Sequence, residues 1–162
     1  MSTRVTPCLC FDSQAEDAAT FYVSIFKRSK LGKISRYTEA GREIHGKAPG
    51  SVMTVQFELD GNAFTALNAG PQFTFSEAIS FQVDCADQHE IDYFWARLGD
   101  GGEPGPCGWL KDKFGLSWQI VPTILPQLLA NAENPGTQRV MLALMQMGKL
   151  DIAGLQRAHD DA

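Results

Sequence analysis

The chain has 162 residues, of which 44% are hydrophobic, and it carries a formal net charge of -5 at pH 7. This composition is typical of one globular domain or two small fused modules, and it is far from that of a disordered chain. The negative charge argues against a nucleic-acid surface, which needs clustered lysine and arginine. No apolar run is long enough to cross a bilayer, and the N-terminus lacks the apolar segment of a signal peptide, so we expect a cytoplasmic protein.

Hydrophobic periodicity in the first half of the chain predicts one helix among several strands. Asp12 and Ser13 supply N-capping chemistry for that helix, and Asp60-Gly61-Asn62 is typical of a hairpin turn. A polar loop at 38–50, which contains His45, is long enough to suggest a functional role. The predicted strands are 5–11, 31–37, 51–59 and 63–68, and the predicted helix is 14–27.

The second half begins with a similar strand and helix and ends in helices. Asp87 is expected to cap the first of these helices, and Thr137 a later one. The stretch 99–108 is rich in Gly and Pro and is predicted to be a loop. The predicted strands are 78–84, 109–111 and 116–121, and the predicted helices are 88–98, 123–131, 138–147 and one that starts at Asp151.

The segment from Asp112 to Pro122 has the clearest alternation in the chain. It opens with turn chemistry, and we expect Pro122 to end its strand. One face of that strand is apolar, and we expect a helix to cover it. The other face has the small and polar side chains that are typical of the floor of a cleft. The apolar face carries Leu116, Trp118 and Ile120, and the cleft face carries Ser117 and Gln119.

The four cysteines form no C-x-x-C pair, so the signal for a zinc site is weak. Cys8 and Cys10 lie two apart in one strand and therefore on the same side. We expect that side to face the helix, where both thiols pack as small apolar groups. Cys85 and Cys107 are isolated, and all four are expected to be reduced.

A strand, an aspartate and an aromatic helix occur twice along the chain. Asp12 precedes Phe21-Tyr22 by the same separation as Asp84 precedes Tyr93-Phe94. Each unit then ends in an Asp/Gly turn followed by a strand. Because a repeated unit buries its face against its copy, we predict two tandem β-α-β-β-β modules within an α+β fold.

The chain resembles the vicinal oxygen chelate superfamily, which includes glyoxalase, bleomycin resistance and dioxygenase proteins, and within it the PhnB-like branch, described as a 3-demethylubiquinone-9 3-methyltransferase domain. The motifs that carry this resemblance lie at 8–12, 21–22, 65–71, 107–115 and 118–122. The resemblance implies modules at about 1–71 and 76–122, paired around a cleft, usually in a homodimer. The paired modules and a short following helix would fill 1–136, with a C-terminal helical extension at 137–162.

Metal enzymes of the superfamily take ligands from four strand positions, which the resemblance places near Pro7, Ala66, Ala78 and Gln119. Pro and Ala have no donor atom, and a Gln carbonyl is a poor lone ligand for zinc, nickel or iron. We therefore expect no metal and no other cofactor. The methyltransferase description is also doubtful, because the glycine-rich run at 101–106 follows a helix and resembles no dinucleotide fingerprint.

What these residues favour is an apolar cleft with neutral hydrogen-bonding groups, typical of a small-molecule site. We predict a metal-independent binding protein for an unidentified small molecule, without assigning catalytic residues. One alternative is an enzyme of unidentified reaction, either metal-dependent through unrecognised ligands or acting by acid–base chemistry through a residue such as Glu58 or His45. Another is a dimeric interaction protein whose cleft is vestigial. The predicted binding residues are Phe64, Asn68, Ser80, Gln82, Trp109, Ser117 and Gln119.

Overall fold

The computed structural model describes residues 3–161 and divides after Thr74 into two units, each with its own four-stranded sheet. In the first unit, α1 buries the apolar stripe predicted from the sequence, including Ala18, Tyr22 and Ile25. Asp60 and Gly61 both have positive φ and form the predicted two-residue hairpin turn. The strands are Cys8–Phe11 (β1), Lys30–Arg36 (β2), Val52–Leu59 (β3) and Asn62–Asn68 (β4), and the helices are Ala15–Ile25 (α1) and Arg42–His45 (α2).

The second unit contains the remaining elements. Asp87 caps α3 as predicted, since its side chain accepts a hydrogen bond from the Glu90 backbone N–H at 2.9 Å. The strands are Ser80–Cys85 (β5), Glu103–Pro104 (β6), Trp109–Lys111 (β7) and Ser117–Pro122 (β8). The helices are Gln88–Leu98 (α3), Leu125–Leu128 (α4), Pro135–Met145 (α5) and Ile152–Asp160 (α6).

Two local predictions for the second unit were wrong, and one was confirmed. The predicted loop 99–108 contains the short strand β6, which pairs with β7. Pro122 is the last residue of β8, where it pairs with Cys85, so it ends the strand as predicted. Thr137 lies inside α5, where its hydroxyl donates to the Leu128 carbonyl at 2.9 Å, and Asn134 caps the helix instead.

The two sheets share one topology. The strand orders are β1-β4-β3-β2 and β5-β8-β7-β6, and in each sheet the first strand runs parallel to the last. The predicted α+β fold with two tandem β-α-β-β-β modules is therefore confirmed. No helix within residues 3–161 combines the length and apolar character that crossing a bilayer requires.

Asp112 closes the turn between β7 and β8. Its carboxylate is 3% exposed and accepts hydrogen bonds from the backbone N–H groups of Phe114 and Leu116, at 2.8 and 3.1 Å. The second carboxylate oxygen accepts from Trp118 Nε1 at 2.8 Å. One buried side chain thus holds both the turn and the first large apolar side chain of β8.

Replacing Asp112 by Ala should lower the free energy of unfolding by about 2–3 kcal/mol, because three buried donors lose a charged acceptor. Urea unfolding followed by tryptophan fluorescence measures this change. Asp100→Ala, at an exposed position in the loop after α3, is the matched control and should change stability little. Equal losses in the two variants would contradict the role assigned to Asp112.

Candidate functional site

Six side chains lie on the face of the second sheet that points away from α3, and we name this set the polar face. The opposite face packs towards α3, with Leu110 and Trp118 each 2% exposed. Cross-strand pairing places Ser80 beside Ser117, and Gln119 between Gln82 and Trp109. The polar face consists of Ser80, Gln82, Trp109, Lys111, Ser117 and Gln119. The structure thus brings five predicted binding residues together, and their role in binding stays a prediction.

The hydrogen bonds of the polar face are incomplete. The Gln119 side-chain amide donates to Ser80 Oγ at 2.9 Å, which orients the carboxamide. Ser117 is 1% exposed, yet its hydroxyl has no hydrogen-bond partner within the described part of the chain. A buried hydroxyl without a partner is costly, since it has given up its hydrogen bonds to water.

The charged groups on the polar face and beside it have hydrogen-bond or ion-pair partners. Gln82 donates to the Asp84 carboxylate at 2.6 Å, and Lys111 forms a 2.5 Å ion pair with Glu77. The hydrogen bond from Lys111 holds the pKa of the Glu77 carboxyl below its ordinary value, and the same contact raises the pKa of Lys111. Sequence reasoning missed Lys111, although its alternation with Trp109 in β7 was a usable signal.

The segment after α5 forms backbone hydrogen bonds with the two residues that precede Trp109. The backbone N–H groups of Cys107 and Gly108 donate to the carbonyls of Met147 and Gly148, at 2.7 and 2.8 Å. Gly108 has φ +83°, and a Cβ there would lie 2.7 Å from the Ile120 carbonyl oxygen. Only glycine fits this close approach, so Gly108 allows the chain before β7 to pass this near to the Ile120 backbone.

Two other predicted binding residues, Phe64 and Asn68, point towards α1 rather than away from it. Phe64 stacks on Phe57, which in turn stacks on Tyr22 of α1. The expected face was therefore wrong for both residues. The physical reason is a one-residue error in register, which moves every side chain of a strand to the opposite face.

Asn68 acts as a structural connector in the first unit. Its Oδ1 accepts from the Ala15 backbone N–H at 2.8 Å, and its Nδ2 donates to the Val52 carbonyl at 3.0 Å. The predicted cap of α1 by Asp12 or Ser13 was also wrong, because Gln14 occupies the N-cap position without a side-chain bond. Asn68, distant in sequence, satisfies the first helical N–H group instead.

A shallow cavity of about 330 Å³ lies beside the start of α1. Its wall combines the exposed carboxylates of Asp12, Glu16 and Asp17 with Lys47. Asn68 also lines it, but both ends of that carboxamide are already hydrogen-bonded. Within residues 3–161, no buried polar side-chain atom that lines this cavity is without a hydrogen-bond partner.

The two residues considered for acid–base chemistry have local partners. The His45 ring packs 4.7 Å from the Tyr37 ring, and its Nδ1 accepts from the Lys47 backbone N–H at 3.0 Å. Glu58 pairs with Lys30 at 3.3 Å on the first sheet. These contacts are those of structural or surface groups rather than of a poised base.

The donor chemistry does not fit a catalytic divalent cation. Residues 3–161 contain no group of three or more His, Cys, Asp or Glu side chains placed to hold a metal ion. Of the four positions implied by the resemblance, Ala66 is buried on the α1 side, Ala78 is exposed, and Gln119 bonds Ser80. Such an ion requires several carboxylate, imidazole or thiolate ligands.

The cysteines of β1 also lie on the face opposite to the one expected. Leu9 and Phe11 are buried, at 6% and 4% exposure, whereas Cys8 is exposed and Cys10 half-buried. The prediction that both thiols face the helix was therefore wrong. In β5, by contrast, Cys85 is fully buried, and burial raises the pKa of its thiol to about 12.

Asn68→Ala should lower the free energy of unfolding by about 1–3 kcal/mol, because it leaves the Ala15 N–H and the Val52 carbonyl without partners. Asn68→Asp should not fully restore stability, since a carboxylate accepts from Ala15 but cannot donate to Val52. Chemical denaturation measures both changes. Thr65→Ala on the same strand is the control, and an equal loss there would argue against the capping role.

Cys85 should react with iodoacetamide at pH 8 at least about tenfold more slowly than Cys8, since only an accessible thiolate is the nucleophile. Peptide mass spectrometry after timed quenching measures both rates. Because the folded-state pKa of Cys85 lies above the ordinary 9.0, its contribution to stability is present below pH 9 and is lost as the pH rises towards 12. Comparable native-state rates would contradict this placement.

Comparison with solved structures agrees with the topology. The chain is similar to a putative 3-demethylubiquinone-9 3-methyltransferase, PhnB protein, from Bacillus cereus, with 33% identity and a TM-score of 0.64 over 75% of this chain and 100% of that one. Protein PA1353 from Pseudomonas aeruginosa matches with 17% identity and a TM-score of 0.61, over 75% and 98% of the two chains.

A mutant of the fosfomycin resistance protein FosX from Listeria monocytogenes, solved with Mn(II) and a dihydroxypropylphosphonic acid, matches with 18% identity and a TM-score of 0.50, over 80% of this chain and 96% of that one. At such identities PA1353 and FosX show a shared fold only. No curated protein sequence matches the chain. The family model described as 3-demethylubiquinone-9 3-methyltransferase matches residues 3–121. Together with the PhnB match and the duplicated module, this places the chain in that family, the PhnB-like branch of the vicinal oxygen chelate superfamily.

Proposed function

We propose that this protein binds an uncharged small molecule on the polar face of its second unit, without a metal ion. Gln119 and Ser80 supply an oriented carboxamide and hydroxyl, Ser117 supplies a second hydroxyl, and Trp109 supplies an apolar ring. Gln82 lies at the exposed border of the same face. A few convergent polar groups beside an aromatic surface are typical of small-molecule sites.

The observation that carries this proposal is the buried Ser117 hydroxyl, which has no partner within residues 3–161. If this side chain served only for packing, alanine at position 117 would give a more stable protein, because alanine has no hydroxyl to leave unpaired. When the side chains that cover Ser117 move aside, a ligand that hydrogen-bonds its hydroxyl removes the cost of leaving that group unpaired. Ser117 is flanked by Ser80 and Lys111 in the sheet, so such a ligand would also reach the Gln119–Ser80 pair.

The charge pattern favours an uncharged ligand. Lys111 is neutralised by Glu77, and Asp84 accepts from Gln82. The remaining groups, Ser80, Ser117 and Gln119, are neutral donors and acceptors. A molecule with an adjacent donor and acceptor, such as a carboxamide or lactam, matches them better than an anion or a cation does.

Methyl transfer, which the family description names, is not carried over to this chain. The usual S-adenosylmethionine-dependent enzymes need a parallel α/β sheet with a glycine-rich turn after its first strand. Here the turn after β1 contains no glycine. Each sheet has only one parallel pair of strands, and its other strand pairs are antiparallel. The glycine-rich stretch lies between α3 and β7 instead.

Ser117→Ala should stabilise the ligand-free protein by about 0.5–1 kcal/mol, because an unpaired buried hydroxyl is removed. The same variant, and Gln119→Ala, should weaken ligand binding by about 3- to 10-fold through the loss of a hydrogen bond. A thermal-shift screen with uncharged carboxamides and lactams identifies binders. Calorimetric titration of those binders then measures the affinities.

Ser76→Ala, at an exposed serine of the same unit, is the control and should match the native protein in stability and affinity. Unchanged affinity in Ser117→Ala and Gln119→Ala would show that binding occurs elsewhere. A thermal shift caused by stoichiometric Zn²⁺, Ni²⁺ or Mn²⁺, and lost in Gln119→Ala, would overturn the metal-independent proposal.

A further inference from the structure

The face of the first sheet that points away from α1 carries two neighbouring thiols. Cys8 and Cys10 lie on β1, which is an edge strand of the sheet. The residues that alternate with them, Leu9 and Phe11, are buried on the α1 side. Cys8 is exposed and Cys10 half-buried, so both sulfur atoms face a surface that solutes reach.

The two thiols also interact with each other. Residues two apart on a strand have Cα atoms about 6.5 Å apart and project from the same face. The pKa of the Cys8 thiol is raised, first by partial burial and then by the charge of Cys10 and a hydrogen bond with it. Both thiols therefore project from the same face of β1, where one small solute can contact them together.

The spacing suits a bridging ion better than a disulfide. A disulfide prefers Cα atoms about 5.5–6 Å apart, and 6.5 Å lies near its upper limit. Two sulfur atoms joined through one ion, with metal–sulfur bonds of about 2.3 Å as for zinc thiolates, span up to about 4.6 Å. Side chains on Cα atoms 6.5 Å apart reach that separation without backbone movement.

The number of donors selects the kind of ion. Structural zinc takes four ligands, and residues 3–161 contain no cluster of three or more His, Cys, Asp or Glu side chains placed to bind metal. The residues that pair with Cys8 and Cys10 in β4 are Thr65 and Leu67, which are not soft ligands. Two thiolates alone suit a soft monovalent ion such as Cu(I).

We propose that Cys8 and Cys10 form a two-coordinate thiolate site for a soft monovalent cation of the Cu(I) class. Each thiol loses one proton to solvent, two metal–sulfur bonds form, and neither the metal nor sulfur changes oxidation state. The occupied site carries one negative charge. Because two protons leave, affinity rises with pH. The site lies in the first unit.

The test uses the full-length reduced protein under nitrogen, with Cu(I) supplied from a chromophoric chelator that reports the free ion. The native protein should withdraw one Cu(I) per chain. Cys8→Ser and Cys10→Ser should each lower the affinity at least about tenfold, because one soft ligand is lost. Cys107→Ser, at a half-buried thiol of the second unit, is the matched control and should bind as the native protein does.

Two further measurements test the coordination itself. X-ray absorption at the copper edge should show two sulfur neighbours and no nitrogen or oxygen, and Ag(I) titration in weak buffer should release two protons per ion. Native affinity in the Cys8→Ser/Cys10→Ser double variant, or a loss in Cys107→Ser, would overturn the proposal. Melting temperatures that equal that of the native protein, together with the same loss of affinity in Cys10→Ala as in Cys10→Ser, exclude misfolding as the cause of weaker binding.

Discussion

In each unit a single helix covers one face of a four-stranded sheet, and this constraint decides what the other face presents. Side chains alternate along a strand, so every residue that packs on the helix sends its neighbours to the opposite face. In the first unit, Leu9 and Phe11 are buried towards α1, which leaves Cys8 and Cys10 accessible. In the second unit, Trp118 and Ile120 are buried, which places Ser117 and Gln119 on the polar face.

The same topology therefore supports different chemistry in its two copies. The polar face of the second sheet has no net charge of its own, because Glu77 pairs with its lysine and its other five side chains are uncharged. The corresponding face of the first sheet carries two interacting thiols at an edge strand. A duplicated module allows this divergence because the residues that hold the fold lie on the helix side, and substitutions on the other face leave that packing intact.

Buried polar side chains set the local geometry in both units by comparable means. The Asp112 carboxylate accepts hydrogen bonds from two backbone N–H groups and one indole N–H group, and these bonds position β8. Asn68 joins the start of α1 to β3. Both have their hydrogen bonds met by the protein, as buried polar groups usually do. Ser117 does not, and this contrast separates a candidate binding group from structural ones.

The sequence by itself determined most of the longer elements, the duplicated module and the face of β8, because the Leu116–Ile120 alternation and the Asp87 cap are local signals. It missed the short elements α2 and β6, which lie in stretches predicted to be loops. It did not determine the register of β1 and β4. Cys8, Leu9, Cys10 and Phe11 are all compatible with a core, so no polar residue marks the outer face. The sequence placed Asn68 among the binding residues of the cleft, because its partner, Ala15, is 53 residues away and gives no local signal. Only the tertiary structure decided those faces. The Ala15 N–H group at the start of α1 needs an acceptor, and this made burial of the Asn68 side-chain amide favourable.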